Sequence, residues 1–401
     1  MVKMQRSYRF RAYPSSVQKE RLNRQMFLSK QVYNILLEKA QNHFKETGKT
    51  FTKYDMNKWI AKLKKENPEF KEVYSQSLQN VSDRLSKAYR NFFRRIKERK
   101  RGRKIKVGFP RFRSFVSSLT YPQSGFKIEK KRITLSKVGR INFVNHREIL
   151  GTVKTFSIKR TKVGEWYVTF SSEIEDTPPF SNNRPRVGMD LGLTEYATLS
   201  NGLQIKNPKM QNALLTRLKR RQKRISSKKK GSRNRRKAII GFAGLSEHVV
   251  RQRDDYLHKI SSNLVNSYSF IAYEELNVQN MVRNHNLARH IQDASWNKFI
   301  QFLCYKAESA GCRAVGVNPR GTSRICSGCG NVQDMPLSER AFNCDKCGMS
   351  KDRDLNASIN ILERATEGQS GSYASGDSAS ASQKGKASGI VESGTILGGA
   401  S

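Results

Sequence analysis

Apolar and polar residues alternate with two different periods along the first part of the chain. Residues 2–13 alternate charged and apolar side chains with a period of two, which predicts a strand. Behind them, Ser15 and Gln18 have the spacing of a capping box and precede apolar residues at helical spacing. Two further helical patterns follow, beginning near Thr52 and running through residues 81–96. Residues 14–98 therefore form a predicted helical domain.

The pattern returns to a period of two after residue 118. Strand-like runs alternate with turns, and Gly164 marks a hairpin turn between two of them. The predicted strands cover residues 126–128, 132–135, 152–160 and 165–170. If the opening strand pairs with these runs, the helical block is an insertion into a β domain. Residues 178–185 contain three prolines and predict a linker.

A different order of elements begins at Arg186. Three short strands form a predicted β-meander around an Asn201-Gly202 turn, which is a strong hairpin signal. The later segments are, in order, a basic helical region at 208–268, a strand at 269–276, a helix at 295–310, a strand at 313–317 and a helix from Arg353. This alternation predicts a mixed sheet with helices on its faces.

The charge of the chain favours nucleic acid as its partner. It carries 76 Lys and Arg against 33 Asp and Glu, a formal net charge of +43. Such a field attracts polyanions, although a basic protein can also be merely soluble. Two runs, residues 94–113 and 217–237, concentrate this charge and are interpreted as phosphate contacts rather than solvated faces. No apolar run approaches the ~20 residues that span a bilayer, and the basic N-terminus lacks a secretory apolar segment, so we expect a cytoplasmic protein without membrane partners.

Two cysteine pairs have the spacing of a metal site. Cys326 and Cys329 form one pair, and Cys344 and Cys347 form the other, with fourteen residues between the pairs. Four thiolates at ~2.3 Å from the metal are the preferred ligands of structural zinc. An iron–sulfur centre or a redox pair is the alternative, but zinc is favoured. Because all four ligands are cysteine, the site is predicted to be structural rather than catalytic.

Acidic residues follow the predicted strands and begin the last helix. Asp190 lies in the first strand of the meander, Glu274 and Glu275 end the later apolar strand, and Asp354 lies at the start of the last helix. If the strands are neighbours, these carboxylates converge and would hold Mg²⁺ or Mn²⁺. Two such ions, ~3.5–4 Å apart, catalyse phosphodiester hydrolysis. Taken singly, each acid is an ordinary solvated residue at a strand end.

These motifs together resemble the TnpB family, the transposon-encoded RNA-guided nucleases related to type V CRISPR effectors. The matching segments are residues 187–193, 273–277, the cysteine pairs and residues 352–357. Upstream, residues 77–80, 88–93 and 108–112 are also similar to family sequence. The resemblance covers residues 1–366. The third motif reads Asn356-Ala357-Ser358 where a second Ala is commoner, a change of one small residue for another.

The resemblance implies a multidomain α+β architecture: a wedge β-barrel with an inserted helical recognition domain, then an RNase H-like (RuvC) mixed-sheet nuclease domain with an inserted zinc ribbon. The implied boundaries are 1–13 and 119–182 for the wedge, 14–118 for the helical domain, 183–320 and 351–366 for the nuclease domain, and 321–350 for the ribbon. Residues 367–401, rich in Gly, Ser and Ala, are predicted to be a disordered tail.

The resemblance also implies the activity, an RNA-guided cut of double-stranded DNA next to a target-adjacent motif. The catalytic and Mg²⁺-binding residues would be Asp190, Glu274 and Asp354, with Glu274 preferred over Glu275 only because it fills the family position. Gln79 matches a position near the target-adjacent motif. The partners would be a guide RNA from the transposon end and double-stranded DNA, bound by one protein chain in a bacterial or archaeal, nucleoid-associated ribonucleoprotein. A nuclease-inactive repressor, a DNA-joining transposase and a miniature type V CRISPR effector are the alternatives.

Overall fold

The computed structural model describes residues 4–174, 183–336 and 338–370, with side chains up to residue 367. The chain divides into two compact units, Met1–Asp176 and Thr177–Ser401. Within the described ranges, none of the helices combines the length and the apolar character that a membrane span requires. The predicted linker at 178–185 falls mostly outside these ranges, as does the predicted disordered tail beyond residue 370.

The first unit contains a seven-stranded antiparallel sheet. Its strands are β1 (Met4–Tyr13), β2 (Ser118–Pro122), β3 (Phe126–Glu129), β4 (Arg132–Leu135), β5 (Gly139–Phe143), β6 (Thr152–Arg160) and β7 (Trp166–Ile174). They are ordered β2-β6-β7-β1-β5-β4-β3. The two edge strands, β2 and β3, are joined by only residues 123–125. The sheet must therefore curve until its edges approach each other, as in a nearly closed barrel.

Side chains that alternate between buried and half-buried along the strands form the apolar core of this sheet. In β7, Trp166, Val168 and Phe170 are buried, while the residues between them are half-buried. They pack with Phe10 of β1 and Phe156 of β6 in one apolar cluster. The predicted opening strand is confirmed, and it pairs with β7 from Met4 opposite Ile174 to Ala12 opposite Trp166. Strands β2 and β5 lie outside the runs that the alternation pattern predicted.

The helices of the first unit lie between β1 and β2 in the chain. They are α1 (Ser16–Thr47), α2 (Lys53–Glu66), a 3-10 helix (Pro68–Glu72) and α3 (Ser75–Lys100). Both predicted starts are confirmed, because Ser15 with Gln18 and Thr52 with Asp55 form complete capping boxes. These caps satisfy backbone N–H groups that the first helical turn leaves unpaired. A separate apolar cluster, which includes Leu28, Met56 and Leu85, holds the helices together.

The second unit contains a five-stranded mixed sheet. Its strands are β8 (Arg186–Leu191), β9 (Glu195–Leu199), β10 (Gln204–Lys206), β11 (Phe270–Glu274) and β12 (Arg313–Val317), in the order β10-β9-β8-β11-β12. The meander β8-β9-β10 is antiparallel, whereas β11 runs parallel to both β8 and β12. The predicted meander and mixed sheet are confirmed, and β8 and β11 are neighbours.

Helices cover this sheet on two sides. The helices of the unit are α4 (Met210–Ala213), α5 (Leu215–Ser226), α6 (Arg233–Ser267), α7 (Val278–Met281), α8 (His285–Ala294), α9 (Trp296–Ala310) and α10 (Arg353–Ser370). The larger core joins one face of the sheet to α6 and α9, and it includes Met189, Leu257 and Phe299. The smaller core joins the other face to α10 through Ala272, Val317 and Ile361. The predicted mixed architecture is therefore confirmed.

Three predictions for this unit need correction. The basic helical region at 208–268 is broken into three helices. Leu214, with φ of −108° and ψ of 4°, separates α4 from α5, and residues 227–232 leave the helical path around Gly231, whose φ is +85°. Helices α7 and α8 fill a stretch for which no element was predicted. The last helix continues to Ser370, so the first four residues assigned to the disordered tail are helical.

Candidate active site and metal centre

The face of β8 that meets α10 carries Asp190. Side chains of a strand point alternately to its two faces. Val187, Met189 and Leu191 enter the larger core, so Gly188 and Asp190 belong to the opposite face. A Cβ atom at position 188 would overlap the carbonyl oxygen of Ser358 in α10 and lie 2.8 Å from Leu362 N. Gly188 therefore allows α10 to approach the strand that carries Asp190.

The same alternation separates the two glutamates of β11. Phe270 and Ala272 pack in the smaller core against α10, which places Glu274 on that face as well. Glu274 is half-buried and continues the pairing in which Ala272 lies opposite Gly188 of β8. Glu275 is exposed, and its carboxyl group lies beside Gly316. Glu274, and not its neighbour, therefore lies on the face that carries Asp190.

Asp354 reaches this region from the first turn of α10. Asp352 accepts hydrogen bonds from the backbone N–H groups of Asp354 (2.9 Å) and Leu355 (3.0 Å), which fixes the start of the helix. Asp352 also ends strand β14 (Ser350–Asp352), which pairs with β13 (Ala341–Asn343). The short hairpin that contains the second cysteine pair thus leads directly into the helix of Asp354.

The three acids interact electrostatically. Burial raises the pKa of Asp190 to about 8, and the negative charges of Glu274 and Asp354 add to this effect. Burial also raises the pKa of Glu274, although the Thr322 hydroxyl and the charge of Arg364 act in the opposite direction. The pKa of Asp354 is raised by burial and by Asp352. Such a group favours either a proton or a cation, because several carboxylates at one place repel each other.

A fourth acid, Glu195 at the start of β9, was not predicted. Its negative charge helps to raise the pKa of Asp354. Its Oε2 atom is buried and has no hydrogen-bond partner among the described residues. The sequence signal was weak, since a single acid after a Gly-containing turn resembles any solvated strand end.

The cysteine pairs form a tighter group than the acids. In the described part of the chain, Cys326, Cys329, Cys344 and Cys347 alone form a set of three or more His, Cys, Asp or Glu residues with ligand atoms all within 4.8 Å. The carboxyl oxygens of the three acids are therefore more widely spaced. Sγ atoms lie 3.6 Å apart in the Cys326–Cys347 and Cys329–Cys344 pairs. Tetrahedral zinc with ~2.3 Å bonds requires about 3.8 Å between sulfurs, so the four thiolates fit it.

Both cysteine pairs adopt the same local turn. Gly330 N–H donates to Cys326 O at 2.9 Å, and Gly348 N–H donates to Cys344 O at 3.0 Å. Each glycine has a left-handed backbone, with φ of +71° and +69°. A glycine directly after the second cysteine is thus required for the turn that brings two thiolates together.

One side of α10 binds the loop before the first cysteine pair, a contact that was not predicted. Asn356 accepts a hydrogen bond from Ser327 N–H (2.9 Å) and donates one to Ile325 O (2.8 Å). Asn360 donates to Thr322 O (2.8 Å) and also to Ile325 O (2.7 Å). Asn356 and Asn360, polar residues at spacing four on one side of the helix, were the signal that could have indicated this contact.

The remaining predicted residues lie elsewhere. Gln79 is exposed on α3 of the first unit, and its carbonyl oxygen accepts a hydrogen bond from Ser82. The basic run 217–237 forms most of α5 and the start of α6, and α5 has no buried residue. In the other run, α3 ends at Lys100 and residues 101–113 are irregular. Phe109 and Phe112 are exposed in this run.

Three family models match successive parts of the chain. One described as a helix-turn-helix domain matches residues 1–49, one described as "Probable transposase" matches residues 169–285, and one described as a Cas12f1-like TNB domain matches residues 296–361. The last of these matches contains the cysteine pairs and Asp354. The matches thus fall in both compact units.

Two curated relatives extend over nearly the whole chain. A protein of Streptomyces pristinaespiralis named "Putative RNA-guided DNA endonuclease" is 31% identical over 372 residues, which are 90% of each chain. One of Escherichia coli K12 with the same name and the designation InsQ is 30% identical over 384 residues, 90% of this chain and 92% of its own.

A solved structure has a similar fold. The Cas12f1 chain of a complex with sgRNA and target DNA matches with a TM-score of 0.55 and 13% identity, over 90% of this chain and 99% of that one. At this identity the match concerns the fold alone. The two curated relatives, 31% and 30% identical over 90% of this chain, confirm the resemblance inferred from the motifs: the chain belongs to the TnpB family of RNA-guided DNA endonucleases.

Proposed function

We propose that this protein is a transposon-associated RNA-guided endonuclease that cleaves double-stranded DNA by metal-dependent phosphodiester hydrolysis. The full-length relatives named RNA-guided DNA endonucleases support the activity class. The mixed sheet of the second unit would be its RuvC-like nuclease domain of RNase H fold, and the cysteine segment its zinc ribbon. The sheet of the first unit would be the wedge barrel, and α1–α3 the recognition helices.

The observation that carries the proposal is the convergence of Asp190, Glu274 and Asp354. They come from two neighbouring strands and from the helix that packs on them. Burial raises the pKa of Asp190 to about 8, and the charges of Glu274 and Asp354 add to this effect. A structural ion pair would place a cation beside a buried acid. Here the charges of two further carboxyl groups raise the pKa of Asp190 more than the nearby Arg353 lowers it, an arrangement typical of sites that bind divalent cations.

The donor set fits a hard cation. Carboxylate oxygens are the ligands that Mg²⁺ and Mn²⁺ prefer. Asp190, Glu274 and Asp354 would hold the ions, and Asp190 would lose its proton when they bind. Bound ions would activate a water and stabilise the leaving oxygen of the scissile phosphodiester. The position of Glu274 on the face of Asp190 supports its assignment over Glu275, which is exposed on the other side of β11.

The charge of the chain supports separate roles for the protein, which would bind phosphates, and for the RNA, which would recognise the sequence. A net charge of +43 suits a protein that contacts phosphates, while base pairing between a guide and its target supplies the sequence specificity. Exposed cations of α5 and of residues 101–113 would contact the nucleic-acid backbone. Gln79 remains a proposal for contact near the target-adjacent motif, supported by its exposure on α3.

A nuclease-inactive, RNA-guided repressor is the second candidate, and the complete acid trio disfavours it. A miniature type V CRISPR effector would share the chemistry and differ in its genetic source. The gene's neighbourhood separates these sources, since a CRISPR array would supply one guide and a transposon end the other. Sequencing of the RNA that co-purifies with the protein identifies the guide directly.

The catalytic assignment is tested with matched substitutions. In the guide-loaded protein with Mg²⁺, Asp190→Asn or Glu274→Gln should lower the cleavage rate by roughly 10³-fold or more, since residues that act as one unit fail together. Guide-RNA binding should stay unchanged. Glu275→Gln changes the adjacent residue in the same way and should cleave like the unmodified protein. Cleavage by Asp190→Asn at the normal rate would refute the assignment.

A further inference from the structure

The loop between β12 and the first cysteine contacts the acid site through Thr322. This side chain is buried, with 3% exposure, and its hydroxyl group donates a hydrogen bond to Glu274 Oε1. The two residues are 48 positions apart in the chain. The hydroxyl group has a second acceptor in its own loop, Pro319 O at 3.2 Å. Its bond to Glu274 restricts the rotation of that carboxylate and ties it to the loop.

Thr322 is itself held by α10. Asn360, 5% exposed, donates a hydrogen bond of 2.8 Å to the carbonyl oxygen of Thr322. One turn later along the same side of the helix, Arg364 donates to Asn318 O (2.6 Å) and Arg320 O (3.0 Å). One turn earlier, Asn356 binds the backbone on both sides of Cys326. Three residues at spacing four therefore fix the backbone of residues 318–327.

These three polar residues of α10 fix the position of the loop more than they stabilise the folded protein. Burying an amide side chain costs free energy that its hydrogen bonds only roughly recover. Apolar residues at the same positions would therefore stabilise the packing of the helix equally well. The amide side chains instead add geometric specificity, since each N–H group holds a carbonyl oxygen of the loop at a defined distance and angle. The helix that carries Asp354 thereby also fixes the loop whose hydroxyl group binds Glu274.

We propose that Thr322 is a positioning residue for Glu274, and that Asn360 of α10 sets Thr322 in place. Thr322 is not proposed to touch the DNA or the metal ions. The inference rests on the proposed function, in which Glu274 binds a divalent ion. Residues that orient metal ligands typically change metal affinity or activity by about 10–100-fold when they are removed. The same loop continues into Cys326, so the zinc centre and Glu274 share one support.

The test replaces the hydroxyl group without changing the shape of the side chain. In the guide-loaded protein, Thr322→Val should weaken Mn²⁺ binding, measured by electron paramagnetic resonance, by about 10–100-fold. Cleavage should show a higher Mg²⁺ requirement, while guide-RNA affinity and zinc content stay unchanged. Thr322→Ser, which keeps the hydroxyl group, should restore Mn²⁺ binding. Thr366→Val is the matched control, because that hydroxyl bonds only within α10, to Leu362 O and Glu363 O.

Two outcomes distinguish a failure of this inference from a failure of the proposed function. If Thr322→Val binds Mn²⁺ like the unmodified protein while Asp190→Asn has lost cleavage, the positioning role is wrong and the nuclease assignment stands. If Asp190→Asn cleaves normally, the proposed function fails as well. Should Thr322→Val not fold, as judged by zinc content, Thr322→Ala removes the same hydroxyl without a branched side chain, and normal Mn²⁺ binding by it overturns the role.

Discussion

At the scale of the residue, the space around one glycine decides how the acid site is assembled. Gly188 lies two residues before Asp190, and the backbone of α10 occupies the volume that any side chain there would need. Its backbone does not have positive φ. The requirement is therefore close approach of helix and strand, and a methyl group would have to displace the helix that carries Asp354.

Gly188→Ala should destabilise the protein by about 1–3 kcal/mol, the usual cost of overpacking a rigid core. It should also reduce cleavage, because α10 and Asp354 move away from Asp190. Gly241→Ala is the control: this glycine lies inside α6, and a Cβ atom there would only approach Arg221 at 4.0 Å. That variant should be stabilised by about 0.5–1 kcal/mol. Calorimetric unfolding compares the two, and equal stability changes would contradict the close-packing argument.

At the scale of the element, α10 has three separate tasks. Ile361 and Ala365 pack on the sheet. Asn356, Asn360 and Arg364 hold the loop before Cys326. The first turn carries Asp354 and begins directly after the hairpin of the second cysteine pair. The cysteine segment is therefore attached to the helix both through the chain and through side chains.

The cysteine segment should contain about one zinc ion per chain, because its four thiolates match a closed tetrahedral site. Elemental analysis of the purified protein measures this. Cys344→Ala removes one ligand and should lose zinc, whereas Cys312→Ala changes a buried thiol outside the cluster and should keep it. Iron in place of zinc, or no metal at all, would show that the interpretation as a zinc ribbon is wrong.

At the scale of the whole molecule, the net positive charge determines how the protein would bind nucleic acid. The excess of cations extends through both units, and α5 has no side chain committed to a core. A helix of this kind contributes little to folding stability, so its cations are available for phosphates. Binding of this type releases counterions and weakens as salt increases.

Changing Lys219, Arg220 and Lys223 of α5 together to Gln should weaken guide-RNA binding. All three are exposed. The slope of log K against log salt should fall by up to about 2, at ~0.7 per lost phosphate contact with a single strand. Filter binding at several salt concentrations gives the slope, and calorimetric unfolding checks that the fold is retained. An unchanged slope would mean that α5 does not contact the RNA.

Local features of the fold were largely predictable from the sequence. Ser15 and Thr52 cap their helices through atoms three residues away, and each cysteine pair closes its turn within five residues. Strand patterns gave β1, β6, β7 and the meander. The same approach missed β5 because residues 139–143 begin with glycine and hold few apolar residues, so their role depends on pairing with β1 and β4.

The sequence by itself determined the two cysteine pairs with their turns and the capped starts of α1 and α2, because spacing over a few residues fixes the local geometry of turns and caps. Only the tertiary structure shows that Glu274, and not Glu275, lies on the face of Asp190, since this depends on which face of β11 meets α10. It alone revealed that Thr322 binds Glu274 and that Asn360 holds Thr322. Contacts between residues 38 and 48 positions apart depend on sheet register and helix packing, which no short motif specifies.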